Sequence, residues 1–148
     1  MIQITLNTMT PRAVFDFCDA RNPFNKYYFD IHSMEDLLRV DGSGQTLEIR
    51  DEMGEVAGLI IFEIVNHVGG RELEVREVAF EPVSGALWTK VIWPHLFKMA
   101  WEKFDCDRIG ITSETPAMTR LLHLNGFKIL TTTMVMEVAE NVRIEAIQ

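Results

Sequence analysis

Only two cysteines occur in 148 residues. Cys18 sits in a helical pattern and Cys106 before a strand, and neither has the close Cys or His spacing of a zinc site, so no metal is expected. A reducing, cytoplasmic setting is the expectation. Positive charge is also short: 14 Lys plus Arg stand against 22 Asp plus Glu, a net charge of −8. Such a surface repels nucleic acid phosphates, and no local basic patch offsets it, so a nucleic-acid partner is not expected. No apolar run approaches the roughly 20 residues that cross a bilayer. No basic stretch followed by an apolar one marks a secretory signal at the start. A membrane role is therefore not expected either.

What the chain does have is a globular balance, 47% hydrophobic and 24% charged residues, in a length that fits one domain over residues 1–148 with a core of its own. It carries no repeat, no low-complexity tract and no linker. Ile2 to Leu6 alternate apolar and polar as a half-buried strand does. Thr10 and Pro11 supply an N-cap and a first helical residue, and Ala13, Val14, Phe17 and Cys18 repeat at helical spacing. Asn22-Pro23 ends that helix, and Asn25 to Asp30 form an aromatic connector. Ser33 with Asp36 three residues on reads as a capping box, which predicts a second helix from Met34 to Val40, closed by Asp41-Gly42-Ser43-Gly44.

From Thr46 the period becomes extended. Leu47 and Ile49 alternate with polar residues, Asp51 to Gly54 form a hairpin turn, and Val56 to Val65 read as a nearly continuous apolar strand. A turn from Asn66 to Gly70 leads to the strand Glu72 to Phe80, which completes an antiparallel meander. The turn Glu81-Pro82-Val83-Ser84-Gly85 then opens the longest helical pattern, ending near Phe104. Its Trp88, Trp93, Trp101, Phe97 and Phe104 read as core or interface. Pro94 within it predicts either a kink or an α-helix that begins near Ile92, because a mid-helix proline costs about 3 kcal/mol. Arg108 to Thr112 is a short strand, Pro116 to Leu124 a helix capped by Asn125-Gly126, and Ile129 to Val138 a last strand. A strand, helix, strand connection of this length favours a parallel crossover, so the strands starting at Glu72 and Arg108 should run parallel and splay apart near Phe80. The expected core contains Ile60, Phe62, Val78, Phe80, Ile109, Ile111, Leu121 and Phe127.

This order of elements, with Gly126-Phe127 between the final helix and final strand, resembles the GNAT-type N-acetyltransferase fold from Ile2 to Val138. The local marks are Val78-Ala79-Phe80-Glu81-Pro82, the distance from the turn to the Arg108 strand, and the segment from Thr115 to Phe127 ending in Asn-Gly-Phe. The resemblance implies an α+β domain: a mixed, mostly antiparallel sheet flanked by helices, with a central parallel strand pair. It also implies an acetyl-CoA site at the end of the fourth strand, formed by Val78, Phe80 and the turn that follows. The family's Q/R-x-x-G-x-G/A loop falls on Ser84, Gly85, Ala86, Leu87, Trp88 and Thr89. Ser84 replaces the basic residue, Leu87 the middle glycine and Thr89 the last small residue. Glycine matters there because a Cβ blocks close approach of the backbone to phosphate. The cofactor loop is thus degenerate by substitution, with its length kept.

The family's general-acid tyrosine falls on Leu122. His123 is the next candidate, but one step along a helix turns it about 100° away, and it also reads as a surface histidine. Glu74 falls where some members carry a catalytic glutamate. Glu77 and Glu63 are likewise set among apolar residues, which raise a carboxylate pKa toward that of a general base. The same carboxylates equally suit pairing with Arg71 or Arg76. Tyr27, Tyr28 and Phe29 either wall the acceptor groove or join the core. Two functions stay open: an acyl-CoA-dependent N-acetyltransferase of unknown acceptor, or a GNAT-fold protein that has lost catalysis and binds another protein. The chain is similar to GNAT-like proteins of tailed bacteriophages, some of which are virion or anti-host factors. The substituted loop favours the binding protein.

Overall fold

The alternating start of the chain forms β1 (Gln3–Leu6), and Pro11 opens α1 (Pro11–Arg21), where Thr10 Oγ1 accepts from Ala13 N at 3.2 Å as an N-cap does. The computed structural model describes residues 2–21, 30–81, 87–112 and 116–128. The second helix, α2 (Ile31–Leu38), starts and ends earlier than the sequence suggests. Its cap is Asp30, whose Oδ1 accepts from Ser33 N at 2.7 Å. A charged oxygen one residue before the apolar Ile31 outcompetes the hydroxyl of Ser33, which lies inside the helix.

The meander follows as β2 (Gly44–Arg50), β3 (Val56–His67) and β4 (Gly70–Phe80). Asp51 closes the first turn: its carbonyl accepts from Gly54 N at 3.0 Å, and its Oδ1 accepts from Met53 N at 2.9 Å and Glu55 N at 3.0 Å. Gly54 takes the φ of +80° that this turn requires. The β3–β4 ladder runs to His67↔Gly70, beyond the end of the apolar alternation, because backbone pairing continues after burial stops. A π-helical turn (Trp88–Ile92) leads into α3 (Trp93–Glu102), and β5 (Arg108–Ile111) follows. The described residues form one five-stranded sheet in the order β1-β2-β3-β4-β5. Its pairs are antiparallel except β4–β5, which is parallel from Glu72↔Arg108 to Val75↔Ile111. The ladder ends at Val75, earlier than the expected splay near Phe80. The result is an α+β fold with helices flanking a mixed sheet.

One residue decides how the sheet is lined. Phe62 pairs with Val75 and Ile61 with Glu77, so Arg76 is the extra residue of a β-bulge. Directly paired residues share a face. Leu73 and Val75 therefore lie with Ile64 and Phe62, whereas Glu77 and Ala79 lie with Ile61 and Leu59 on the opposite side. That second face packs beneath α1 and α2 in a cluster of Val14, Cys18, Met34, Leu59, Ile61 and Ala79. On the first face the Phe62 ring meets Phe104 edge to face, with centroids 5.6 Å apart, and α3 buries Trp93, Leu96 and Ala100.

Ile60 and Phe62 are fully buried as expected, but Val78, Phe80, Ile109, Ile111 and Phe127 are only half-buried. Val78 and Phe80 lie on β4 past its last rung with β5, and Ile109 and Ile111 lie on the outermost described strand. The Leu121 side chain lies outside the described residues. So do residues 82–86 and the expected final strand at 129–138.

The chain divides into two compact units, Met1–Ser113 and Glu114–Gln148. The second contains α4 (Pro116–Leu124). It ends as a Schellman motif: Gly126 N donates to His123 O at 3.1 Å and Phe127 N to Leu122 O at 3.0 Å, with Gly126 at φ +90°. No helix of the described residues is long and apolar enough to cross a membrane.

Candidate functional site

The end of β4 is where the sheet offers a site. Parallel strands place ligands outside their carboxyl ends, where neighbouring strands part. Beyond the Val75↔Ile111 rung, β4 alone continues from Arg76 to Phe80. Val78 pairs with Ile60, and Phe80 pairs with Gly58, on the face that carries Phe62. The Phe80 ring lies directly over Gly58, where a Cβ would stand 2.1 Å from Phe80 Cδ1. Glycine at 58 is what lets the ring lie flat there.

Glu81 leaves the strand with its amide donating to Ala57 O at 2.9 Å. Its carboxylate is paired with Arg21, the last residue of α1. The same guanidinium donates through Nη1 to Phe17 O at 3.1 Å and stacks 3.4 Å above the Phe17 ring. A cation therefore lies at this end of β4, and a carboxylate, a carbonyl and an aromatic face already hold it.

Of the sequence candidates for a base, Glu74 is bound by an arginine. Arg76 Nη1 lies 3.1 Å from Glu74 Oε1, and Arg76 Nε donates to Glu63 Oε1 at 3.1 Å. Ser43 Oγ donates to the other oxygen of Glu63 at 3.1 Å. Glu77 is buried on the α1 side of the bulge. Burial, and then the charge of Glu77, push the Cys18 thiol up to about 12 against the opposing pull of Arg21. Cys18 is a packing residue with no thiolate at neutral pH. His123 is exposed in the last turn of α4, and the Leu122 side chain beside it is buried.

Ser84, Gly85 and Ala86 lie outside the described residues. Leu87 is half-buried where helical structure begins, and Trp88 and Thr89 belong to the π-helical turn. Pro94 explains that turn. In an uninterrupted α-helix its ring would meet the carbonyl of Lys90. With the wider turn ahead of it, α3 starts at Trp93 and Pro94 falls in the first α-helical turn, where no amide is needed. The α-helix thus begins near Ile92, directly after the π-helical turn.

The sequence did not single out Glu48, whose side chain is fully buried. Its Oε1 accepts from Thr8 N at 2.8 Å, Met9 N at 3.2 Å and Thr46 Oγ1 at 3.1 Å, and its Oε2 accepts from Thr5 Oγ1 at 3.1 Å. The carboxylate fastens the β1–α1 connection to β2, and four donors leave it no capacity for chemistry. Its only sequence signal is its place beside Thr46 on the polar parity of β2. Among the described residues, no group of three or more His, Cys, Asp or Glu could hold a metal ion.

No protein-family model matches the sequence, and no curated protein matches it. Solved structures do match. A ribosomal-protein-alanine N-acetyltransferase from Brucella melitensis biovar Abortus 2308 is 19% identical with a TM-score of 0.67, over 93% of this chain and 99% of that one. A possible acetyltransferase from Clostridium difficile 630 is 15% identical with a TM-score of 0.63, over 93% and 98%. A putative acetyl transferase from Pyrococcus furiosus is 14% identical with a TM-score of 0.61, over 93% and 100%. At such identities the likeness is one of fold.

Proposed function

We propose a binding function for this chain, which has the fold of the GNAT-type N-acetyltransferases: it holds acetyl-CoA weakly or not at all, and it works by binding another protein. The Arg21–Glu81 pair carries this reading. A pyrophosphate is gripped by charge-assisted hydrogen bonds from amides and a basic side chain. Here the guanidinium at the strand end is already bound to a carboxylate, which neutralises it. Ser84, Leu87 and Thr89 stand where the family's loop has its basic and small residues, and a half-buried Leu87 leads into the helix. A setting among the GNAT-like proteins of tailed bacteriophages, as virion or anti-host factor, suits this function.

An active N-acetyltransferase is the second reading. It is favoured by the continuation of β4 past its last rung with β5, which leaves Val78 and Phe80 on a strand end of the kind that takes a ligand. Its candidate bases are Glu74, which pairs with Arg76, and the buried Glu77. Thermal unfolding separates the two readings. With a dissociation constant above about 100 μM, acetyl-CoA at about 1 mM stabilises by no more than about 1.4 kcal/mol, whereas a constant of about 1 μM gives about 4.1 kcal/mol. The smaller figure is expected.

A further inference from the structure

The guanidinium of Arg21 is firmly placed but incompletely paired. Nη1 donates to Phe17 O at 3.1 Å, and the group lies 3.4 Å above the Phe17 ring. Phe17 in turn packs against the core cluster beneath α1, so the cation is held in position before any ligand arrives. Nη2 is paired with Glu81 Oε1. Nε, which shares an edge of the guanidinium with Nη2, is buried and has no hydrogen-bond partner among the described residues. That edge is one on which arginine takes two oxygens of a single carboxylate or phosphate. Glu81 fills half of it, and a buried charged donor left without an acceptor is destabilising.

The two members of the pair differ in freedom. The Arg21 side chain is 23% exposed and fixed on Phe17, whereas that of Glu81 is 53% exposed on the first residue past β4. Glu81 can turn into water without disturbing the core, and Arg21 cannot. Two other carboxylates lie near in the chain or the fold. Asp19 is exposed two residues back on α1, which turns it about 200° away from Arg21. Glu77 is buried on the face of β4 beneath α1, and its charge and that of Arg21 act on Cys18 with opposite sign. Glu81 is the carboxylate in contact with the guanidinium, so its departure is the largest single change in charge there. We propose that the Nε and Nη2 edge of Arg21 is a binding site for an oxoanion, a carboxylate or a phosphate, and that Glu81 is its internal occupant, displaced by the incoming anion. The proposal rests on the binding function above, in which Glu81 neutralises Arg21, and adds the chemistry of the ligand that Arg21 takes.

Nitrogen-edited proton NMR of the full chain tests it through the Nε–H resonance of Arg21, assigned by its loss in Arg21→Lys. The probes are sodium phosphate and sodium acetate, titrated at constant ionic strength so that screening stays fixed. A tethered carboxylate competes at a high effective concentration, so in Glu81→Gln the resonance should shift and saturate at least about tenfold earlier than in the parent chain. Earlier saturation by phosphate assigns the site to phosphate ligands, and earlier saturation by acetate assigns it to carboxylates. Glu81→Ala repeats the comparison with no amide left to hold Nη2, and circular dichroism verifies that the variants fold. A resonance that does not saturate in either variant up to about 100 mM of both anions overturns the proposal. So does saturation at the same concentration in the parent chain and both variants, because Glu81 is then no occupant. Either result removes the oxoanion site and leaves the weak acetyl-CoA binding proposed above in place. Tight acetyl-CoA binding by the parent chain removes that function, and the anion titration still decides the role of Arg21.

Discussion

Glu63 and Glu74 stand directly opposite each other on β3 and β4, and the bulge residue Arg76 reaches both carboxylates at 3.1 Å. Like charges facing across a ladder repel. The bulge supplies the cation that offsets them, and the same bulge redirects Glu77 and Ala79 to the α1 face. Arg76→Ala should therefore lower stability by about 1 kcal/mol, with a larger loss at low salt. Adding Glu74→Gln should recover much of it. Urea unfolding of the two variants measures this, and no recovery in the double variant would contradict the pairing.

Gly58 and Phe80 form a second coupled pair. Gly58→Ala should cost roughly 1 to 3 kcal/mol, because the new Cβ meets the Phe80 ring. In a Phe80→Ala background the same change should cost far less, since the ring has gone. A double-mutant cycle by chemical denaturation gives the coupling, and additive losses would place the ring elsewhere.

Glu48→Ala should be among the most damaging single changes, at roughly 3 to 5 kcal/mol, because it strands two backbone amides and two hydroxyls that its carboxylate now satisfies. Glu48→Gln should cost less but still destabilise, since an amide nitrogen brings a donor to a site built of donors. Thermal and urea unfolding check the order of the two.

Cys18 gives a pH prediction. Its folded thiol pKa is raised from 9.0 to about 12, so between these values the unfolded chain binds fewer protons than the folded one, and stability contributed by this group falls as pH rises. The contribution is intact below about pH 9. Cys18→Ala should flatten the alkaline limb of a stability profile, and native Cys18 should resist alkylation at neutral pH. An identical limb in the variant would show that Cys18 is not the group responsible.

The meander, the parallel β4–β5 pair and the start of the α-helix near Pro94 are legible in the sequence because each follows from local period, connection length or the missing proline amide. The bulge at Arg76 is not. Leu73, Val75, Glu77 and Ala79 alternate without interruption and are all buried, yet the first two lie on one face and the last two on the other; a bulge inside a strand buried on both faces leaves the period of two intact. Glu48 was hidden because an acidic residue in an amphipathic strand looks solvated until its four donors are brought to it by folding. The partner that neutralises Glu81 could not be read either, since Arg21 lies 60 residues away in the chain.

Isothermal titration calorimetry of the full chain with acetyl-CoA measures whether the end of β4 holds the cofactor. A dissociation constant above about 100 μM, equivalent to less than roughly 5.5 kcal/mol of binding free energy, is expected. Low-micromolar binding that Gly85→Glu abolishes would contradict the proposed binding function and favour an active acetyltransferase, with Glu74 as the first base to replace.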